Sequence, residues 1–304
     1  MTILRISFSL VILLAFVHGP FAFAGSSALS FLKLGVSARA LAMGDAGSAL
    51  LSGASATYYN PAGLFGVDEG SDVLLMHKEW LTDTRMQFLG ASTSLGENGA
   101  LGFSFTHLTI SGIEIRTKPG PADGNFTARD FGVGISYAHR ISGDVTLGLT
   151  GKYLLEKIFV DNTGGIAFDI GGRWKTPFDN LVIGGVVANI GSMNALRNER
   201  PRLPTLGRIG AAYTNKISTL QSIYSIAIDL EQDFPASQSY VKFGGEIFYQ
   251  DLLAVRAGYF AGADARGFSA GLGIVYSLFS FDYAFAPLYA DLGNTHTLSL
   301  SIRI

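Results

Sequence analysis

The sequence predicts an all-β transmembrane fold, an antiparallel outer-membrane β-barrel of about fourteen strands with an N-terminal plug segment. Three observations predict it. Hydrophobic residues make up 48% of the 304 residues and charged residues only 15%, whereas charges approach about a quarter of an ordinary soluble domain. Beyond the N-terminus, no uninterrupted apolar run reaches the roughly eighteen residues that a membrane-crossing helix needs. From Val73 onward, successive runs alternate apolar with small or polar residues, the period-two pattern of strands whose faces meet unlike surroundings. A chain that must satisfy every backbone group inside hydrocarbon without helices is left with a closed barrel.

Residues 1–24 read as a signal peptide. Arg5 precedes an apolar core from Ile6 to Val17, and Ala22-Phe23-Ala24 is a small-x-small cleavage signature that makes Gly25 the first mature residue. The core is too short to serve as a membrane anchor. Residues 25–70 read as the hatch and differ from the rest of the mature chain, being rich in Ala and Gly and irregular in period. Ala38 to Gly47 suggests a short, tightly packed helix or hairpin, because small side chains allow close backbone approach. In Tyr58-Tyr59-Asn60-Pro61-Ala62-Gly63-Leu64, proline fixes its own φ, confines Asn60 to extended geometry and is followed by a glycine that permits a turn. A rigid bend is expected there.

Residues 71–304 read as the barrel, with strands near 73–80, 85–95, 99–109, 128–141, 145–158, 164–175, 180–190, 205–215, 222–231, 239–249, 252–261, 267–277, 279–286 and 295–304. Phe131, Val133, Ile135 and Tyr137 against Gly132, Gly134, Ser136 and Ala138 illustrate the alternation, as do Leu298, Leu300 and Ile302 against Thr297, Ser299 and Ser301. Even parity returns both ends of the barrel to one side. Short connections such as Glu97-Asn98, Gln250-Asp251 and Ser277-Leu278 fall at one parity, and long ones, Ile110 to Thr127 and Gly191 to Pro204, at the other, as bacterial barrels require. Tyr137, Trp174, Tyr213, Tyr249 and Tyr276 sit on the apolar face near the short-turn ends, where amphipathic rings favour the membrane interface.

The opposite face carries Lys152, Asp169, Arg173, Arg208, Asp229, Lys242, Glu246, Arg256 and Asp282. Ionised groups near the bilayer midplane cost on the order of 2–4 kcal/mol, so these nine are expected to line the lumen. They form either a paired or solvated wall that holds the hatch or a selective pathway. Mixed signs make a poor filter for one charge type and favour the wall.

Chemistry is hard to find. The absence of Cys excludes disulfides and thiolate sites, and a net charge of -2 gives no electrostatic footprint for nucleic acid. His77, His107, His139 and His296 lack metal-ligand spacing. Gly267-Phe268-Ser269-Ala270-Gly271 spells a nucleophile elbow, but the alternation runs straight through it and makes Ser269 an inward strand residue. Gly151-Lys152 lacks the Ser or Thr of a P-loop, and Asn125-Phe126-Thr127 reads as a simple polar loop. No catalytic residue, metal or cofactor is expected, and the chain is not expected to be an enzyme.

The ordered set SARALAMGDAGSAL (Ser37 to Leu50), YYNPAGL (Tyr58 to Leu64) and HKEWLTDTRMQFLGAS (His77 to Ser92), followed by alternating strands, resembles the PorV/PorQ proteins, themselves similar to FadL-type outer-membrane transporters. The resemblance covers nearly the whole mature chain. Asn60, Pro61 and Ala62 match the family signature residue by residue, and Arg39, Gly44, Asp45 and Gly63 belong to the same hatch motifs. It implies a location in the outer membrane of a Gram-negative-type bacterium, in contact with its lipid. It implies two roles: assistance to type IX secretion, with cargo bearing a C-terminal β-domain and the attachment machinery as partners, or passage of hydrophobic small molecules. The modest external loops depart from the FadL pattern, and the chain ends in Ser301-Ile302-Arg303-Ile304 rather than in an aromatic residue.

Overall fold

The computed structural model describes residues 29–65, 70–81 and 83–304; the expected signal peptide and its expected cleavage site lie outside them. Fourteen antiparallel strands, each paired with its neighbours in sequence, close into one barrel through β1 and β14. They are β1 (Ser71–Glu79), β2 (Thr84–Leu95), β3 (Gly99–Ile115), β4 (Gly124–Arg140), β5 (Val145–Ile158), β6 (Asp161–Lys175) and β7 (Leu181–Met193), then β8 (Leu206–Ile217), β9 (Ser222–Asp233), β10 (Gln238–Tyr249), β11 (Leu253–Ala261), β12 (Phe268–Tyr276), β13 (Phe279–Pro287) and β14 (Asn294–Arg303). Ser71 and Ile304 exchange backbone bonds at 2.8 and 2.9 Å, so the two ends of the barrel meet on one side. Among the described residues no helix is long and apolar enough to cross a membrane.

The alternation follows the wall. Ile135 is 65% exposed on the outside while its neighbour Ser136 is 1% exposed on the inside. Outward Leu149, Ile166, Ile226, Val255, Leu272 and Phe281 continue the apolar surface around the barrel. Tyr137, Trp174, Tyr249 and Tyr276 are exposed on that outer surface near the short-turn ends, with Tyr213 half-exposed at the same level. This is the girdle their rings favour.

Three connections differ from the sequence reading. The segment read as a loop from Ile110 to Thr127 is mostly strand: β3 continues to Ile115 and β4 starts at Gly124, with a register shift between Ile110 and Ile113. Gly112 takes a φ of 71° at that irregularity, a conformation glycine adopts without steric cost. Asn125 and Thr127 therefore lie in a strand rather than in a loop. The segment from Gly191 is shortened, because β7 runs on to Met193. β6 begins at Asp161, so only Phe159 and Val160 connect it to β5, a tight turn on the side expected to carry longer loops.

Inside the barrel lies the segment 29–65. It contains two short helices, α1 (Ala38–Ala42) and α2 (Ala56–Tyr59), and three 3-10 turns. Its Val36, Ala40, Met43, Ala54 and Leu64 are fully buried. With wall on every side, this segment supplies the core that the barrel strands alone could not.

Candidate functional site

The contact between the N-terminal segment and the inner wall is the most elaborate polar arrangement in the molecule. It begins with the bend read from Asn60 to Gly63. Asn60 is extended, with φ −166° and ψ 109°, and its side-chain oxygen accepts from the Ala62 amide at 3.1 Å to cap the 3-10 turn Pro61–Gly63. Its amide nitrogen donates to the Ser48 carbonyl at 2.9 Å and to the Gly172 carbonyl of β6 at 3.1 Å. One buried side chain thus ties the bend to itself, to the preceding loop and to the wall. Proline at the first turn position leaves no unpaired N–H.

The second anchor is the turn after α1. Gly44 and Asp45 both have positive φ, 69° and 67°, a left-handed pair that sharply reverses the chain. A Cβ on Gly44 would sit 2.5 Å from the Tyr259 carbonyl oxygen and 2.6 Å from that of Phe243, so only glycine fits against β10 and β11. The Asp45 carboxylate accepts from the Tyr59 hydroxyl at 2.6 Å and from Lys242 at 3.3 Å. Burial, with the neighbouring Asp45 carboxylate next in weight, pushes the Tyr59 phenol well above its usual range and keeps it a donor.

The nine charges named from the sequence all lie on the inner face, and seven of them fall in three groups. Glu246 accepts from Arg39 of α1 at 2.9 and 2.7 Å and from Arg256 at 2.5 Å, and Arg256 reaches Asp282 at 2.6 Å. The Glu246 carboxylate beside it, opposed by burial, holds the Arg39 guanidinium above its ordinary value. Glu231 joins Arg208 at 2.5 Å to Lys242 at 2.9 Å. Lys152 pairs with Asp169 at 2.6 Å, and Asp169 also accepts from the Asn189 amide at 2.8 Å. Asp229 has no cationic partner among the described residues; it accepts from the Gly47 and Ser48 amides at 3.0 and 2.9 Å. Arg173 also stands outside these groups, with its Nε unpartnered.

Some participants escaped the sequence reading. Ser269, read there as an ordinary inward residue, accepts from the Gly44 amide at 3.1 Å and donates to the Ala42 carbonyl at 3.2 Å. Ser299 accepts from the Ala38 amide at 2.9 Å. Lys33 reaches Asp233 at 3.4 Å, and the fully buried Lys78 donates, among the described residues, only to the Gly35 carbonyl at 3.5 Å. Inward glycines are equally involved: a Cβ on Gly148 would lie 2.3 Å from the Pro61 backbone, and one on Gly258 would lie 2.1 Å from the Gly44 nitrogen. These contacts span far more chain than any local motif.

Small cavities remain where the segment meets the wall. A cavity of about 20 Å³ lies among Phe31, Tyr58, Phe88 and Lys152, and another of about 40 Å³ among Asp45, Lys78, Trp80 and Phe260. Spaces of this size hold one to a few waters. Among the described residues no cluster of potential ligands could hold a metal.

The PorV family profile, described as type IX secretion system protein PorV, matches residues 24–176, from the N-terminal segment through the end of β6. The chain belongs to the PorV family. No curated protein sequence matches it. Among solved structures it is similar to the Pseudomonas putida toluene transporter TodX, with TM-score 0.63, 12% identity and coverage of 88% of this chain and 97% of that one. The CymD monoaromatic hydrocarbon channel gives 0.58, 14%, 91% and 98%, and a Pseudomonas aeruginosa FadL homologue gives 0.53, 11%, 88% and 97%. At such identities the likeness is one of fold. Family and fold together make this PorV-family protein a Gram-negative outer-membrane barrel.

Proposed function

We propose that this protein is a non-enzymatic accessory or shuttle component of type IX secretion, and that residues 25–70 act as a hatch keeping its lumen closed. Membership of the PorV family carries the first part. The second rests on the packing of the segment against the wall: the wall charges other than Arg173 are paired with one another or with residues 29–65, and two adjoining cavities admit only a few waters. A barrel so packed offers partners its rim and outer surface, where cargo bearing a C-terminal β-domain and the attachment machinery would engage. Hatch and wall would then serve rigidity, with Arg39, Gly44, Asp45 and the Asn60–Gly63 bend as fasteners.

Deleting the protein from a cell that possesses this machinery tests the proposal. Cargo with the C-terminal domain is expected to accumulate in the periplasm, and crosslinking in the intact cell is expected to join it to the barrel. Normal cargo display combined with a growth defect on hydrophobic compounds would instead support a passive transporter, the reading favoured by the TodX-like fold.

A further inference from the structure

Strand register places an unusual row of side chains on the outside of the barrel at the end opposite the chain termini. His296 stands across from Glu79, Glu79 from Arg85, Arg85 from Thr109, Thr109 from Arg129, Arg129 from Lys157 and Lys157 from Asn162. Arg85, Arg129 and Lys157 are exposed, and among the described residues none of them forms an ion pair. Glu79 is the row's one acid. Arg129 and Lys157 are direct cross-strand partners, an arrangement of like charges that destabilises a sheet unless an anion joins them. The row stands about 27 Å along β4 from Tyr137 in the opposite girdle, at ~3.4 Å per residue. With strand tilt this matches the roughly 25 Å apolar band of such barrels, so the cations lie at the outer edge of the hydrocarbon. Across β8, β9 and β10 the same end presents Gly207, Gln232 and Ser239 instead.

One step nearer the midplane, the outward residues are His77, Gln87 and His107. His77 and Gln87 are 3.4 Å apart, too long for a good bond, and so keep hydrogen-bonding capacity on a surface turned to lipid. Beside them the outer surface is indented. A concavity of about 660 Å³ is lined by Leu75, Leu89, Phe105, Leu272, Phe281 and Leu298, with His77 and Gln87 at its edge. Its volume falls within the range of sites that enclose small ligands.

We propose that this face, β1 to β5 with the adjoining indentation, binds an outer-leaflet phosphoglycolipid. Its phosphate bridges Arg129 and Lys157, with Arg85 at its flank; its first polar linkages meet His77 and Gln87, and its acyl chains occupy the indentation. Charge complementarity favours this occupant over a zwitterionic lipid, and the apolar floor beneath the cations favours it over a free anion. The site stands whether or not the secretion role holds.

The test uses the intact barrel, purified in zwitterionic detergent and offered either a lipid A-type diphosphorylated glycolipid or phosphatidylethanolamine. Native mass spectrometry is expected to show retention of the phosphoglycolipid alone, weakened at least about ten-fold in R129Q/K157Q, the loss expected from two charge-assisted contacts. Thermal unfolding is expected to change sign. Without the glycolipid the double variant is more stable than wild type, having lost the like-charge contact; with it, wild type is more stable. Equal retention by wild type and variant overturns the proposal, as does equal uptake of the zwitterionic lipid. Displacement of the glycolipid by millimolar inorganic phosphate also overturns it, since the site would then be one for free anions.

Discussion

The two halves of the inner wall hold the N-terminal segment by different physics. Against β1 to β5 the contact is apolar: Phe31, Leu34, Leu51 and Tyr58 pack on Leu74, Met76, Met86, Phe88, Leu108 and Leu154. Against β8 to β13 small alanine contacts are joined by ion pairs, with Arg39, Asp45 and Lys33 facing Glu246, Lys242 and Asp233. Apolar burial is non-directional and tolerates small shifts, whereas a buried carboxylate needs its donors in place. The apolar half therefore supplies adhesion and the charged half supplies registration. Substitutions that separate the two should show the charged half to be the less forgiving.

The largest effect is expected at Glu246. Glu246→Ala leaves Arg39 without its carboxylate and Arg256 with only Asp282, and an uncompensated buried charge costs about 3–5 kcal/mol. Urea titration of the folded barrel in phospholipid vesicles, read by its electrophoretic shift, checks this. By contrast Met86→Leu, on the apolar side, is expected to cost less than about 1.5 kcal/mol as a volume-conserving exchange. If the two variants lose equal stability, the division between the halves is wrong.

Next comes steric fit. At Gly258 any β-carbon meets the backbone of Met43 and Gly44, which cannot rotate away. Gly258→Val is expected to cost about 1–3 kcal/mol, the range of overpacked sites, and to loosen the segment from β11. Planar-bilayer recordings supply the second readout: wild type is expected to be closed and the variant to conduct.

How much of this was legible depends on where the pattern has a cause. Inside the bilayer each strand has lipid on one side and segment or polar wall on the other, so Phe131 to Tyr137 or Leu298 to Ile302 betray both strand and face. Beyond the bilayer that contrast ends. Ile110, Ser111, Gly112, Ile113 and Glu114 no longer alternate cleanly, and the strand they continue was invisible in the sequence. The bend at Asn60 and Pro61 could be read because its causes are local. The roles of Ser269 and Gly258 could not, because each contacts a residue more than 200 positions away; a small residue on an inner face gives no sign of what it meets. The charges at Arg208, Lys242 and Glu246 could be assigned a side but not partners, since pairing depends on tilt and register across several strands.

Asn60 should have an intermediate effect. Asn60→Ala removes a cap and two buried bonds to carbonyls, and loss of a cap alone costs about 1 kcal/mol. Hydrogen exchange is expected to speed up first at the Ala62 amide and then along Pro61–Gly63, without unfolding of β6. If exchange rises equally throughout the barrel, the bend is part of the global fold rather than a local fastener.

The smallest effect is expected at Asp123, and setting it beside Asp229 isolates the role of burial, because two carboxylates perform the same task in different surroundings. Asp229, inside the barrel, accepts from two backbone amides of the N-terminal segment. Asp123, fully exposed at the tip of the β3–β4 hairpin, accepts from the Thr117 amide and hydroxyl, each at 2.8 Å. Asp229→Ala is expected to cost about 1–3 kcal/mol, because the abandoned amides are buried, whereas at Asp123 water replaces the lost acceptor. The Thr117 amide bond nonetheless holds the Asp123 carboxyl below its usual range. A depressed folded-state pKa means that the order it confers is complete above the ordinary carboxylate range and disappears as pH falls through the lowered value. Proteolysis of the tip by pepsin across acidic pH should therefore accelerate as Asp123 protonates, with cleavage in D123A already fast and insensitive to that titration while the barrel band stays folded throughout.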